Sequence, residues 1–216
     1  MANRYNIEEL ILYIEALFLA AGMDADKSAI VAQLLVEADL MGHTTHGIAQ
    51  APAYLSGLEN GLMLGTGNPI TVSDRGATIT WDGQRICGVW LTAMAIDLSV
   101  DRAKKYGTAT MAIRRSGHIA CLAAFLTRAT DKGCMIELAS SDPSIVSVAP
   151  YGGTKPAFTP NPIAIGIPTN KNPILIDISA SITTNGLTGR LFSEGKKLPG
   201  DWVQDKSGRA TNDPAV

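Results

Sequence analysis

The chain has 216 residues, 46% of them hydrophobic and 18% charged, enough apolar material to bury a core in one large domain or one domain with an appendage. Its 18 lysines and arginines are balanced by 20 aspartates and glutamates with no basic run, which excludes the electrostatic footprint of a nucleic-acid or anionic-lipid binder. The opening residues lack the charged head, apolar stretch and cleavage site of a secretory signal, and no apolar run reaches the roughly 18 uncharged residues of a membrane span, so the expectation is a cytoplasmic protein.

From Asn6 to Ala21, Leu10, Ile11, Ile14, Leu17 and Phe18 recur at helical steps, with Gly22 as the stop. Asp24 or Asp26 can cap a second helix whose face is Ile30, Val31, Leu34, Leu35 and Ala38, ending at Gly42. A loop, Met41 to Gly47, then leads to a third helix from about Ile48 to Leu58, and the glycines between Gly61 and Gly67 mark a boundary. The first 60 residues read as a helical arm, 1–60, ahead of a mixed α/β core, 61–216. In that core, short β-favouring runs at Ile70 to Val72, Ala77 to Trp81, Thr108 to Ile113 and Met135 to Leu138 alternate with helices at Leu91 to Tyr106 and Cys121 to Lys132. Beyond Asp142 come strands Ile163 to Ile167 and Ile174 to Ile178, a helix from Asn185 to Phe192, and a polar final stretch, Asp205 to Val216, without a closing element.

Cys87, Cys121 and Cys134 are odd in number and far apart, the pattern of reduced thiols rather than of a disulfide framework. Two of the three histidines share one loop, His43-Thr44-Thr45-His46-Gly47, directly after a helix stop. Imidazole can both give and take a proton near neutral pH, which reduction of a carbonyl requires as charge grows on its oxygen. Thr45 offers a hydroxyl and Gly47 permits close backbone approach. Histidines at such a place also serve simply as helix-end caps or face solvent, and a metal set of His43, His46 and His118 completed by Asp39 or Asp142 is a third reading. His118 follows Arg114-Arg115-Ser116-Gly117 at a strand-to-helix turn of the kind that binds anionic groups. Asp177, within the apolar run Ile174 to Ile178, reads as a carboxylate in a buried strand, either orienting a histidine or holding structure. The dinucleotide glycine fingerprint, the P-loop and the serine-hydrolase elbow are absent.

The loop Gly42 to Gly47, Ser116-Gly117-His118, Ala149-Pro150-Tyr151-Gly152-Gly153, Asn161-Pro162-Ile163-Ala164 and Ile176-Asp177, in this order, resemble the malate/L-lactate dehydrogenase family, with its ureidoglycolate, sulfolactate, diketogulonate and piperideine-2-carboxylate enzymes. The resemblance implies a non-Rossmann fold, a homodimer, and NAD- or NADP-dependent hydride exchange with a small 2-oxo or 2-hydroxy acid. On it, His46 is the acid and base, Thr45 takes the place of a usual serine, and Asp177 orients or tunes the site. His118, Gln50 and Arg115 are the substrate contacts it implies. Cofactor contacts fall to His118, Ala120, Cys121, Pro160, Asn161, Pro162, Ser179, Ala180 and Ser181.

Departures from the family pattern are Gln50 for an arginine that grips the substrate carboxylate, Arg115 for an asparagine, Ala120 for a glycine, Pro160 for a threonine, and Leu187 for a lysine after Gly186. The family also continues into a further segment that completes the sheet, so an incomplete C-terminal fold is expected of these 216 residues. These departures motivate a second reading, a catalytically silent relative that binds a small metabolite or a partner. A metal-dependent hydrolase built on the three histidines is the third.

Overall fold

A computed structural model of the chain describes residues 4–216. Helix α1, Ile7–Ala20, starts where Asn6 accepts a hydrogen bond from the Glu9 amide at 3.1 Å, and it buries Ile14 and Phe18. Helix α2, Ala25–Leu40, begins at Asp24, whose carboxylate leaves the cap unfilled and pairs with Lys27 at 2.9 Å. Lys27 is itself buried, with its ammonium 4.1 Å from the centre of the Trp90 ring. An ion pair and an aromatic face thus replace the lost water around that charge. After a turn of 3₁₀ helix, Ile48–Gln50, helix α3 covers Ala51–Glu59.

Strand β1, Ile70–Asp74, pairs antiparallel with β2, Thr78–Asp82, with an irregularity between Thr71 and Ser73. Helix α4, Gly88–Tyr106, then carries the chain over to β3, Thr110–Arg114, which lies parallel to β2 with Asp82 beside Arg114. The glycine at 107, φ +86°, ends α4 in the left-handed conformation that glycine adopts without penalty. Strands β4, Ile136–Ala139, β5, Ile163–Ile167, and β6, Ile174–Ile178, form a second three-stranded sheet in that order. Helix α6, Asn185–Ser193, follows a one-turn helix α5, Thr127–Thr130, in chain order, and is capped by the Thr184 hydroxyl. The result is a mixed α/β architecture with N-terminal helices and small sheets.

Three expectations are corrected. The helix expected over 121–132 is a 3₁₀ turn, Ala123–Phe125, followed by α5. The residues from Ala120 to Leu126 are all buried, so packing on every side, rather than one amphipathic stripe, sets their backbone. The polar final stretch does contain a closing element, because β7, Val203–Gln204, pairs antiparallel with β8, Ala210–Thr211. Asp205 builds its turn by accepting from the amides of Ser207 at 2.8 Å and Arg209 at 3.1 Å. Strand β6 is not buried: it stands last in its sheet, with Ile174, Leu175, Ile176 and Ile178 exposed and Asp177 half-buried.

The chain divides into two compact units, Met1–Ile136 with Ile165–Leu175, and Glu137–Ala164 with Ile176–Val216. The core of the first is Phe18, Val31, Leu35, Ile86, Val89, Leu91, Phe125 and Leu126, all essentially inaccessible to water. In the second, Ala164 and Leu198 are buried, and the Leu198 amide donates to the Asn212 carbonyl at 2.9 Å. Among the described residues, no disulfide joins Cys87, Cys121 and Cys134, and no helix is long and apolar enough to cross a membrane.

Candidate active site

Helix α2 stops because Gly42 turns left-handed, φ +88°, and the chain folds back so that the His43 amide donates to the Ala38 carbonyl at 2.8 Å. The loop is then pinned from its own residues. The Asp39 carboxylate accepts from the Ile48 amide at 2.8 Å, and the Gln50 side-chain amide donates to the Thr45 carbonyl at 2.6 Å. Gly47 lies against that carboxylate so closely that a side chain there would start 2.4 Å from Asp39 Cγ, the close approach expected of this glycine. This bracing holds His46, whose Nδ1 is 2.9 Å from the Thr45 hydroxyl.

His118 reaches the same place from β3. The turn that carries it is clasped by Asp82, a buried carboxylate at the end of β2. Arg115 contacts it through Nε and Nη2, each at 2.8 Å, and Arg114 through Nε at 3.1 Å. Hydrogen bonding from Arg115, seconded by the Gln84 amide and the two positive charges, overcomes burial and holds the Asp82 carboxyl down at about 2. The turn also packs tightly, since a side chain at position 88 would start 2.1 Å from the Gly117 carbonyl oxygen.

The two imidazoles meet as a stacked pair, centroids 5.9 Å apart and planes inclined by 28°. Tyr54 of α3 completes the group, its hydroxyl 2.8 Å from His118 Nδ1 and its ring edge-on to that imidazole at 5.9 Å. Burial, with the neighbouring Cys87 thiol adding to it and a hydrogen bond from the Ala120 backbone opposing, pushes the Tyr54 phenol well above its ordinary range, so it keeps its proton. Sequence reasoning missed Tyr54. An aromatic at a core-facing helix position looks like packing, and the one signal was a hydroxyl where phenylalanine would pack as well.

Of the residues expected at the site, the first unit thus brings together Thr45, His46, Gln50 and His118, with buried Ala120 and Cys121 following His118 after Ile119. Arg115, expected beside the substrate, has its guanidinium on Asp82. Asp39, a candidate metal ligand, has its carboxylate on the Ile48 amide. The second unit assembles most of the expected cofactor contacts. The Ala180 amide donates to the Pro160 carbonyl at 2.7 Å, the Ser141 hydroxyl donates to Asn161 Oδ1 at 2.8 Å, and the Ser140 amide donates to the Pro162 carbonyl at 3.1 Å. Asn161 takes a left-handed φ of +45°, and exposed Ser179 donates to the carbonyl of half-buried Ser181. Asp142 of this unit accepts from the Ser144 amide at 2.9 Å, and Asp177 lies on β6.

The chain is similar to several known dehydrogenases and reductases. The chain is 28% identical to the L-sulfolactate dehydrogenase of Methanothermobacter thermautotrophicus over 214 residues, covering 99% of this chain and 62% of that protein. It is 30% identical over 207 residues to the Delta(1)-pyrroline-2-carboxylate/Delta(1)-piperideine-2-carboxylate reductase of Pseudomonas syringae pv. tomato, covering 95% and 60%. Among solved structures, malate dehydrogenase from Entamoeba histolytica superposes with a TM-score of 0.93 at 26% identity, over 100% of this chain and 60% of that one. The chain therefore spans about 60% of the length of the relatives it matches. The family model for malate/L-lactate dehydrogenase matches residues 5–216, and with it the chain belongs to the malate/L-lactate dehydrogenase family.

Proposed function

We propose that this chain carries the proton-transfer site of an NAD- or NADP-dependent dehydrogenase acting on a small 2-hydroxy or 2-oxo acid, within a homodimeric cytoplasmic enzyme. The observation that carries the reading is the stacked pair of His46 and His118, each with a hydroxyl on its Nδ1. With Thr45 occupying Nδ1 of His46, proton exchange falls to Nε2. In reduction His46 gives its proton to the substrate oxygen, and in oxidation it takes the hydroxyl proton away. The family resemblance assigns Asp177 an orienting or tuning role.

The residues present fit a dinucleotide in their chemistry. Exposed Ser179 and Ala180, with half-buried Ser181, offer hydroxyl oxygens and small side chains, and the Pro160 carbonyl next to Asn161 accepts from the Ala180 amide. Bound there, the nicotinamide would supply or accept the hydride. Binding of the substrate carboxylate falls to neutral donors, Gln50 and His118, while Arg115 steadies the turn that carries His118. Titration with NADH and NADPH by fluorescence, followed by a screen of 2-oxo acids for cofactor oxidation, tests the reading. Saturable binding with turnover is expected, and a folded chain that binds neither cofactor refutes it.

One observation favours the second reading, a silent relative. Gln50 is tied to the Thr45 carbonyl and Arg115 to Asp82, so neither presents a guanidinium fork to a carboxylate. Gln50→Arg separates the two readings, since it raises turnover of simple 2-oxo acids if a missing grip is the limit and leaves a silent chain silent.

A further inference from the structure

Two hydrogen-bond donors converge on one ring nitrogen of His118. The Ala120 amide, which can only donate, points at Nδ1 from 3.3 Å, and the Tyr54 hydroxyl lies 2.8 Å from the same atom. An amide proton cannot face a protonated nitrogen, so Nδ1 holds its lone pair there. The Tyr54 hydroxyl, which could in principle give or take, must then give. Its other acceptor, the His118 carbonyl, is farther away at 3.3 Å. Burial keeps the phenol protonated, so this donor is present throughout the ordinary pH range.

His46 has a different kind of partner. The Thr45 hydroxyl rotates about its C–O bond and serves Nδ1 equally well as donor or acceptor, so it imposes no tautomer.

We propose that Tyr54 is a positioning residue that, with the Ala120 amide, holds His118 as a neutral imidazole protonated on Nε2. His118 is then a fixed hydrogen-bond donor to a substrate oxygen, and His46 is the member of the pair that changes protonation during turnover. The assignment of the substrate oxygen rests on the dehydrogenase reading; the tautomer does not.

The test is NMR of the full chain labelled with ring-¹⁵N histidine, without cofactor or substrate. Only three imidazoles contribute, and His118→Asn assigns the relevant one. Long-range proton–nitrogen correlations are expected to show His118 with a bare Nδ1 and a protonated Nε2. In Tyr54→Phe the tautomer ratio should move toward Nδ1–H by roughly two- to tenfold, the net worth of one neutral hydrogen bond, with His46 unchanged. A His118 protonated on Nδ1 or averaged like a free imidazole overturns the proposal, as does a Tyr54→Phe spectrum identical to the wild type. Should Tyr54→Phe not fold, fluorotyrosine labelling makes the phenol a stronger donor and must move the ratio the other way. A locked His118 in a chain that oxidises no NADH or NADPH upholds this assignment and refutes the dehydrogenase reading instead.

Discussion

Replacing Gly47 by alanine places a methyl group 2.4 Å from both Asp39 Cγ and Oδ2. The φ of −94° is not left-handed, so the close contact with Asp39 is the first obstacle to a side chain. What must give is the Asp39 carboxylate, and with it the 2.8 Å bond from the half-buried Ile48 amide. A hydrogen bond to a charged group contributes about 1.5–3 kcal/mol, and that is the expected loss of stability. For a chain of this size it corresponds to a fall in Tm of roughly 3–12 °C. The mechanism predicts strong coupling. Asp39→Ala loses the same bond, and in its background Gly47→Ala meets no carboxylate and should cost less than about 0.5 kcal/mol. Urea unfolding of the wild type, both single variants and the double variant, followed by circular dichroism, closes the cycle. Additive free energies, or a Gly47→Ala protein as stable as the wild type, would refute the reasoning.

His46→Ala should lower turnover by roughly 10²- to 10⁴-fold, the contribution of a positioned acid–base group; unchanged cofactor oxidation removes the assignment. Ala120 adopts φ +55°, a conformation that penalises any side chain. Ala120→Gly relieves roughly 1–2 kcal/mol of that strain, against roughly 0.4–1 kcal/mol of added freedom in the unfolded chain and about 0.8 kcal/mol for the buried methyl, so stability should change by less than about 1 kcal/mol and a larger fall in urea unfolding contradicts it. Asp82 is held at about 2 in the folded chain, below an unfolded carboxylate near 3.9, so its stabilisation is complete above about pH 4 and lost as pH falls toward 2. The stability gap between wild type and Asp82→Asn, followed by urea midpoint, should therefore close over that interval. A gap that stays constant from about pH 6 to about pH 2 would show that the ion cluster does not titrate with folding.

What was legible in the sequence was local chemistry. Asn6, Gly22 and Gly42 act through their own backbone or the next turn, so the residue type alone places both ends of α1 and the end of α2. The same holds for the His43 to Gly47 loop, where Asp39, Gly47 and Gln50 are all near neighbours in sequence. Partners distant along the chain were hidden. Arg115 stands next to the site in sequence, yet its guanidinium is drawn 33 positions back to Asp82 by a charge that the sequence could not place. Tyr54 showed nothing but an apolar helical position until His118 arrived beside it. The stretch from Cys121 reads as a helix yet opens as a 3₁₀ turn, because no face of Ala120 to Leu126 meets water and its apolar residues mark no single stripe.

The hydroxyl of Tyr54 and the ring of His118 are 64 positions apart, and every element from β1 to β3 lies inside the loop they close. Closing a loop of that length costs chain entropy that one neutral hydrogen bond does not repay, so the pair persists only while β2, α4 and β3 hold their places. The histidine site is thus no more stable than the elements that carry it. A chain emerging from the ribosome has its helical N-terminus and the His46 loop well before it has chemistry, and any partial opening that frees β3 dismantles the site while α1 and α2 remain packed.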